Sequence, residues 1–500
     1  MKTKTLLLTF LVLTCILSPN QTTKAQTGAA VPGLEIFDAA MTNLLADYNI
    51  KGAQLALTYH GRLVYNRGFG YANTSTNTLV QPNHRFRVAS VSKPISSIAV
   101  MHLIEQGQLH LSDLVFGVNG ILNDAMYQNA IDPRIYTITL RNLLEHTGGW
   151  DRTLSGDPFF PTYFANTNMI GVYDMAIAMG VTPPGTDQSI IQYMLNNFML
   201  NYTPGTVSSY SNIGYSIIAQ VIEKVTSQGY EQYVRDTILI PIGITEIQTG
   251  RTLLANQLPM EVNYYNNYNS QNVSIYDGAT MTPYAYGTYN MESMNGLGGW
   301  VASSADLCKL LVAVDGFPSK PDILLPSTIT TMTTGSAAYP YYALGWGLNT
   351  IDDNWYHTGY LPGTCRSEIG RRGDEINGAI LVNTDANVGD LVSAMDNILY
   401  YLPPLIQNWP TNDLFLGVQE QASDFSVSLY PNPTSYFINV KTDVKLIGSS
   451  YTVYDNMGKA VLTGIINAEN TVVEVQNLSG GIYLFRVGEN NQQTFKVIKE

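Results

Sequence analysis

Ser90 and Lys93 stand three residues apart in FRVASVSKP, residues 86–94. A serine hydroxyl is a poor nucleophile until a base takes its proton. An amine one helical turn away can be that base once desolvation lowers its pKa. Chance alone supplies about two S-x-x-K matches in a chain of this size, so the pair needs company. Two further patterns supply it. Tyr210-Ser211-Asn212 sets a phenol and an amide two residues apart just after the Pro204-Gly205 turn, and His357-Thr358-Gly359 precedes Tyr360 at a strand end. Neither is specific by itself. Y-x-N recurs from Tyr71, Tyr264, Tyr265 and Tyr454, and H-T-G recurs at His146, where it ends the helix TLRNLLEH with Gly148 or Gly149 as an ordinary C-cap.

The elements that must position these residues follow from periodicity. Residues 53–72 read as two strands about a turn at His60-Gly61. Ile95, Ile98, Met101, Leu103 and Ile104 recur at helical spacing until Gly107, with Pro94 in the first turn where a missing N–H costs little. Ser90 therefore falls at a helix N-terminus, with Lys93 on the same face. Residues 140–235 read as mainly helical with a loop-rich stretch at 151–185, and the Tyr-, Asn- and Gly-rich stretch 262–298 reads as a long loop. A helix at 304–316 follows. Strands return at 341–348, 354–359, 365–371 and 378–384, with a turn at Gly373-Asp374, and a helix over 388–401 closes the domain. Strands at both ends with helices between predict an α/β (α+β) fold: an antiparallel sheet flanked by helices and carrying an inserted all-helical lobe. Residues 405–424 read as a linker. Beyond it, six alternating segments from 425 to 500 predict a small all-β sandwich.

Composition narrows the function. Charged residues are 13% of the 500, about half the usual ~25% share, and the net charge is −13, with no basic stripe to bind nucleic acid or anionic lipid. Lys2, Lys4 and the apolar run Leu6–Leu17, before Thr23-Lys24-Ala25, read as a signal peptide over 1–25. That run is too short to span a bilayer, so no stable transmembrane segment is expected. Cys308 and Cys365 are compatible with either a disulfide or two buried thiols after export. No CxxC, HExxH or EF-hand pattern signals a metal site, and no cofactor is expected.

Order and context lift the three motifs together. The first opens a helix, the second lies on a loop of the helical lobe, and the third sits on a strand of the returning sheet. In this, residues 35–402 resemble the serine β-lactamase and penicillin-binding protein superfamily, in its class C β-lactamase, D-alanyl-D-alanine carboxypeptidase and esterase branch. The stretches ITLRNLLEHTGGW (138–150), YTPGTVSSYSNIGYSIIAQVIEKV (202–225), ILIPIGI (238–244), LGGWVASSADLCKLL (297–311) and YALGWGL (342–348) carry the resemblance further. It implies a serine hydrolase over 26–404 with an acyl-enzyme on Ser90, acting on an ester, a D-amino-acid peptide or a β-lactam. Lys93 or Tyr210 would be the acylation base, and Tyr210 would protonate the leaving group and then activate water. Asn212 would hydrogen-bond the substrate amide or the Lys93 ammonium, and the backbone N–H groups of Ser90 and Tyr360 would form the oxyanion hole. His357 stands where many members carry lysine, so the permanent cation facing a substrate carboxylate is missing; Arg366 is a candidate replacement. Trp150, Tyr286, Trp300 and Tyr360 are candidates for lining the cleft or for plain core packing.

VSLYPNPTSYFINVK (427–441) and NLSGGIYLFRVGENNQQTFKVIKE (477–500) resemble the type IX secretion sorting domain of some Gram-negative bacteria. This implies export through the periplasm to the cell surface or medium, with the secretion machinery as partner. The competing readings are a non-catalytic receptor for peptidoglycan fragments or small molecules on the same fold, and a structural adhesin.

Overall fold

The computed structural model describes residues 25–160, 171–386, 388–416, 427–442, 444–455, 459–487 and 493–500. The expected signal peptide lies outside them, apart from Ala25. The chain divides into two compact units, 1–415 and 416–500.

The first unit is built on one antiparallel sheet. Its strands run in the order Gln26–Thr27, Arg62–Asn73, Gly52–Tyr59, Ile376–Val382, Cys365–Arg371, Asn354–Leu361 and Gly347–Asn349. N- and C-terminal segments thus share the sheet, as the strand pattern predicts. His60 and Gly61 (φ 48° and 70°) form the first hairpin turn, where the left-handed conformation matches the strand twist. The second turn, at 372–375, has Glu375 in the left-handed region.

Side-chain alternation splits the core into two layers. Leu55, Leu57, Ile380 and Val382 face Phe37, Met41 and Leu44 of helix Glu35–Asp47, and Leu391, Met395 and Ile398 of the C-terminal helical segment. Ala56, Ala379 and Leu381 face the other way, toward the larger core that the helical lobe shares. In that lobe helix Ser92–Glu105 is buried along nearly its whole length and packs on Asn212–Thr226. Residues 262–298 are irregular apart from short strands, among them a hairpin of Gln271–Val273 with Met281–Pro283. The start of the segment read as a linker belongs to the first unit instead: Arg62 donates to Thr411 O, Leu63 N–H to Asp413, and Leu414 and Phe415 pack on the core.

A buried ion pair fixes the approach to Ser90. Arg87 and Glu261 meet at 3.3 Å, with side-chain exposures of 1% and 0%. Arg87 also donates to Ala285 O and Arg251 O and lies over the Tyr264 ring. Removing one partner of such a pair leaves an uncompensated buried charge, so Glu261→Gln is expected to destabilise the first unit by about 3–5 kcal/mol. Urea unfolding of the two proteins checks this; an unchanged midpoint would show that Arg87 is compensated by its carbonyl partners alone.

In the second unit, strands Val427–Tyr430, Phe437–Thr442 and Asn470–Glu474 form one sheet. Ala460–Ile465, Ser450–Tyr454, Gly481–Val487 and Gln493–Lys499 form the other, and Ile438, Val440, Val453, Phe485 and Val497 make a common core. Ala460–Ile465 is a strand that the alternation reading passes over.

Candidate active site

Ser90 lies in a short 3-10 turn, Ala89–Val91, that leads into helix Ser92–Glu105. Ala89 before it holds φ 47°, a left-handed conformation that a non-glycine residue keeps only where the surroundings impose it. Here they do. Ser92 Oγ donates to Ala89 O, Val88 N–H to Trp300 O, and Ser367 Oγ to Val88 O. Gly359 completes the clamp, since a Cβ there would overlap the Val88 carbonyl oxygen and Ser367 Oγ. Only glycine lets the strand approach the Ser90 turn this closely.

Lys93 is fully buried, one helical turn from Ser90. Its Nζ lies 2.7 Å from Asn212 Oδ1, 2.8 Å from Leu297 O and 3.1 Å from Ser90 Oγ. Burial drives its pKa well below the usual lysine value; the nearby Asp157 opposes this and Arg152 reinforces it. A neutral amine has two N–H donors and one lone pair. Two of the three neighbours are obligate acceptors, so the lone pair is left for the Ser90 hydroxyl proton.

Ser211 caps helix Asn212–Thr226, which places Tyr210 just outside it and Asn212 in its first turn. Asn212 is pinned at both ends of its amide: Oδ1 accepts from Lys93 and Nδ2 donates to Asp157 Oδ2 at 2.6 Å. Of the two partners expected for Asn212, the structure gives Lys93. The Tyr210 ring stands 4.7 Å from Lys93 Nζ. Asp157, buried, has its pKa raised by desolvation.

His357 joins the site through hydrogen bonds of fixed direction. His146 Nδ1 accepts from Ser211 N–H, so its Nε2 carries the proton and donates to Tyr342 OH (3.1 Å). Tyr342 OH donates to His357 Nε2 (3.2 Å), and His357 Nδ1 donates to Thr358 O. Both rings are neutral in this arrangement. Burial, with Lys93 adding to it, pushes His357 down to about 3, and burial holds His146 well below the usual imidazole value. A histidine that titrates near 6.5 unfolded and near 3 folded stabilises the protein fully above pH 6.5, and that contribution is lost as pH falls toward 3. The urea midpoint is therefore expected to fall across this window, and less steeply in His357→Gln; parallel profiles would contradict a neutral buried His357.

Strand parity corrects part of the expectation. His357 and Gly359 face the Ser90 turn, so Thr358 and Tyr360 face the opposite side of the sheet. The register pairs Tyr360 with Arg366. Arg366 stacks over the Tyr360 ring at 3.8 Å, and Tyr360 OH donates to Asp385. Arg366 thus lies on the far face and cannot replace the missing cation. Thr358 and Tyr360 reach the Ser90 side through main chain only. Gly347–Asn349 pairs just with Asn354–Tyr356, so 357–361 has no strand on that edge among the described residues.

Of the candidate cleft aromatics, Trp300 and Trp150 are core residues, and Tyr286 lies beneath the Arg87 guanidinium. Cys308 and Cys365 are unpaired buried thiols. His146, Tyr342, Asp157 and Arg152, whose guanidinium lies 4.8 Å from the Tyr210 ring centre, belong to the site although motif reading passed over them. The stretches ITLRNLLEHTGGW and YALGWGL, which carry part of the resemblance, contain His146 and Tyr342; Arg152 and Asp157 lie outside both.

This fold, with serine, lysine and tyrosine gathered at the junction of sheet and helical lobe, defines a class, and residues 37–402 match the Beta-lactamase family profile: the chain belongs to that family. Residues 428–500 match the secretion system C-terminal sorting domain, which marks the chain for export to the cell surface or medium. Protein flp of Staphylococcus aureus is 24% identical over 388 residues, 75% of this chain and 65% of that protein. The chain thus spans about 65% of the length of the curated relatives it first matches. Among solved structures, EstCE1, a hydrolase with promiscuous acyltransferase activity, aligns with TM-score 0.56 at 19% identity, covering 74% of this chain and 98% of that one. D-amino acid amidase from Ochrobactrum anthropi SV3 aligns with TM-score 0.54 at 20% identity, covering 74% and 99%. Hydrolases therefore share this fold. No helix among the described residues is long and apolar enough to cross a membrane.

Proposed function

We propose that the chain is an exported serine hydrolase that forms an acyl-enzyme on Ser90, with residues 26–404 as its catalytic domain. The observation that carries this is the Lys93 amine, dry, held by Asn212 and Leu297 O, with its remaining coordination position on Ser90 Oγ. Lys93 takes the Ser90 proton as Oγ attacks the substrate carbonyl. Negative charge on the carbonyl oxygen is met by the backbone N–H groups of Ser90 and Tyr360, a device usually worth about 3–4 kcal/mol per donor. As the acyl bond to the leaving group breaks, Tyr210 protonates that group and is reprotonated from Lys93. In deacylation water gives a proton to Tyr210 as Tyr210 passes its own to Lys93, the water oxygen attacks the acyl carbon, and Lys93 returns the proton to Ser90 Oγ as the acid leaves. Asn212, His357 and Gly359 hold the geometry, and the edge at 357–361, where no strand pairs among the described residues, suits an extended acyl chain.

The neutral His357 supports an ester or an amide of a D-amino acid as substrate ahead of a β-lactam. The D-amino acid amidase that shares the fold supports the amide, and EstCE1, a hydrolase with acyltransferase activity, supports acyl transfer. The test is a fluorophosphonate probe with peptide mapping, run beside hydrolysis of short-chain esters, D-amino-acid amides and nitrocefin. Modification at Ser90 with ester or amide turnover is expected. A wild-type protein that neither labels nor turns over any of these would instead be a receptor on the same fold.

A further inference from the structure

We propose that Asp157 is a positioning residue for the reaction: it fixes the Asn212 amide with its oxygen toward Lys93, which keeps the lone pair of the amine free for the Ser90 proton. The proposal rests on the acyl-enzyme reading for the role of Lys93 as base.

The buried Asn212 side chain lies between Lys93 and Asp157. An amide turned end for end fills the same space, so packing does not choose between the two orientations and hydrogen bonding must. In the observed one, Oδ1 accepts from Lys93 Nζ at 2.7 Å and Nδ2 donates to Asp157 Oδ2 at 2.6 Å. A neutral Lys93 then directs one N–H to Asn212 and the other to Leu297 O, and its lone pair meets the Ser90 hydroxyl. In the turned amide, Nδ2 would donate to that lone pair. The freed N–H would point at Ser90 Oγ, and the amine would be a donor to the nucleophile instead of its base.

Asp157 excludes the turned amide because its carboxylate offers acceptors only. Both of its oxygens are taken by N–H groups, Oδ1 by Phe159 N–H at 3.1 Å and Oδ2 by Asn212. Burial pushes its pKa up, while those two N–H groups, and after them Arg152 and Lys93, work the other way. Phe160 N–H donates to Asp157 O and closes the turn that carries the carboxylate. With one oxygen fixed by Phe159, the other faces Asn212. A turned amide would set two buried acceptors against each other with no donor between them, and each would lose its hydrogen bond.

Substitution by the isosteric amide reverses this preference. In Asp157→Asn the side-chain oxygen stays with Phe159 N–H, so the new NH2 faces Asn212 and selects the turned orientation. Asp157→Ala removes the preference without reversing it. Fluorophosphonate labelling of Ser90 is expected to slow by about 10^2-fold or more in Asp157→Asn and by less in Asp157→Ala. A residue that only fills space gives the opposite order, because the amide keeps the shape and alanine leaves a cavity. Exchanging the pair, Asp157→Asn with Asn212→Asp, again places an acceptor-only group against Lys93 and is expected to recover about tenfold or more of the loss. That carboxylate touches Lys93 directly and favours the ammonium, so the recovery is expected at higher pH than the wild-type activity. Labelling of Asp157→Asn as fast as Asp157→Ala or faster, or no recovery in the exchanged pair, overturns the proposal. If Asp157→Asn does not fold, the exchanged pair is compared with Asp157→Ala: faster labelling supports the proposal, and equal or slower labelling overturns it. Failure of the acyl-enzyme reading shows elsewhere, as absent labelling of the wild-type protein.

Discussion

Ser90→Ala is expected to lower ester hydrolysis by about 10^4-fold or more and to abolish covalent labelling by a fluorophosphonate. The effect is large because no other hydroxyl in the turn can stand in. Ser92 Oγ is buried, donating to Ala89 O and accepting from Trp300 N–H, so it is fixed away from a substrate. The fold should be untouched, since among the described residues Ser90 Oγ hydrogen-bonds to Lys93 Nζ alone. What residual rate survives would come from the backbone donors and from binding, which the substitution leaves in place. Thermal melting within a few degrees of wild type, together with lost labelling, is the expected pair of results. Labelling that persists in Ser90→Ala would move the nucleophile elsewhere.

The second large effect is expected in Lys93→Met, which keeps the apolar stem and removes the base. The rate should fall by about 10^3-fold, within the range usual for a general base. The pH profile is the sharper readout. The lowered Lys93 pKa means that the active, neutral amine is populated at lower pH than for a free lysine. Activity therefore rises as pH rises through that pKa and is lost on the acid side, where the ammonium has no lone pair with which to accept the Ser90 proton. Lys93→Met should lose this limb. If the limb survives there and disappears in Tyr210→Phe, Tyr210 starts acylation. Asn212 Oδ1 and Leu297 O lose a donor in Lys93→Met, so a chemical melt should accompany the kinetics to separate a lost base from a loosened site.

The amino-acid sequence made the strongest elements legible because their signals are local. A serine and a lysine three apart on a helix share a face whatever the rest of the chain does, and the observed contact follows from that geometry. The two-ended sheet followed from alternation, as did six of the seven C-terminal strands. Ala460–Ile465 was passed over because its segment is bounded by turn residues and half exposed, with little contrast between its faces. Residues 405–415 looked like a linker from their prolines and polar residues, yet they are held by hydrogen bonds and packing to residues more than three hundred positions earlier.

The site divides along the same line. Sequence by itself picked out the proposed reacting groups, Ser90, Lys93 and Tyr210, and the strand bearing His357 and Gly359, because residue type and short-range spacing suffice for them. Only the tertiary structure decided which charges reach the cleft. Arg366 and Arg152 are both arginines close to a motif, but a three-residue turn at 362–364 sets a register that pairs Arg366 with Tyr360 and sends it to the far face. Contacts of the 151–157 loop with Asn201, Tyr202 and Asn212 bring Arg152 to Tyr210. Side-chain direction in a strand flips with every residue, and long-range contacts leave no local periodicity, so these placements exist only once the chain has closed on itself.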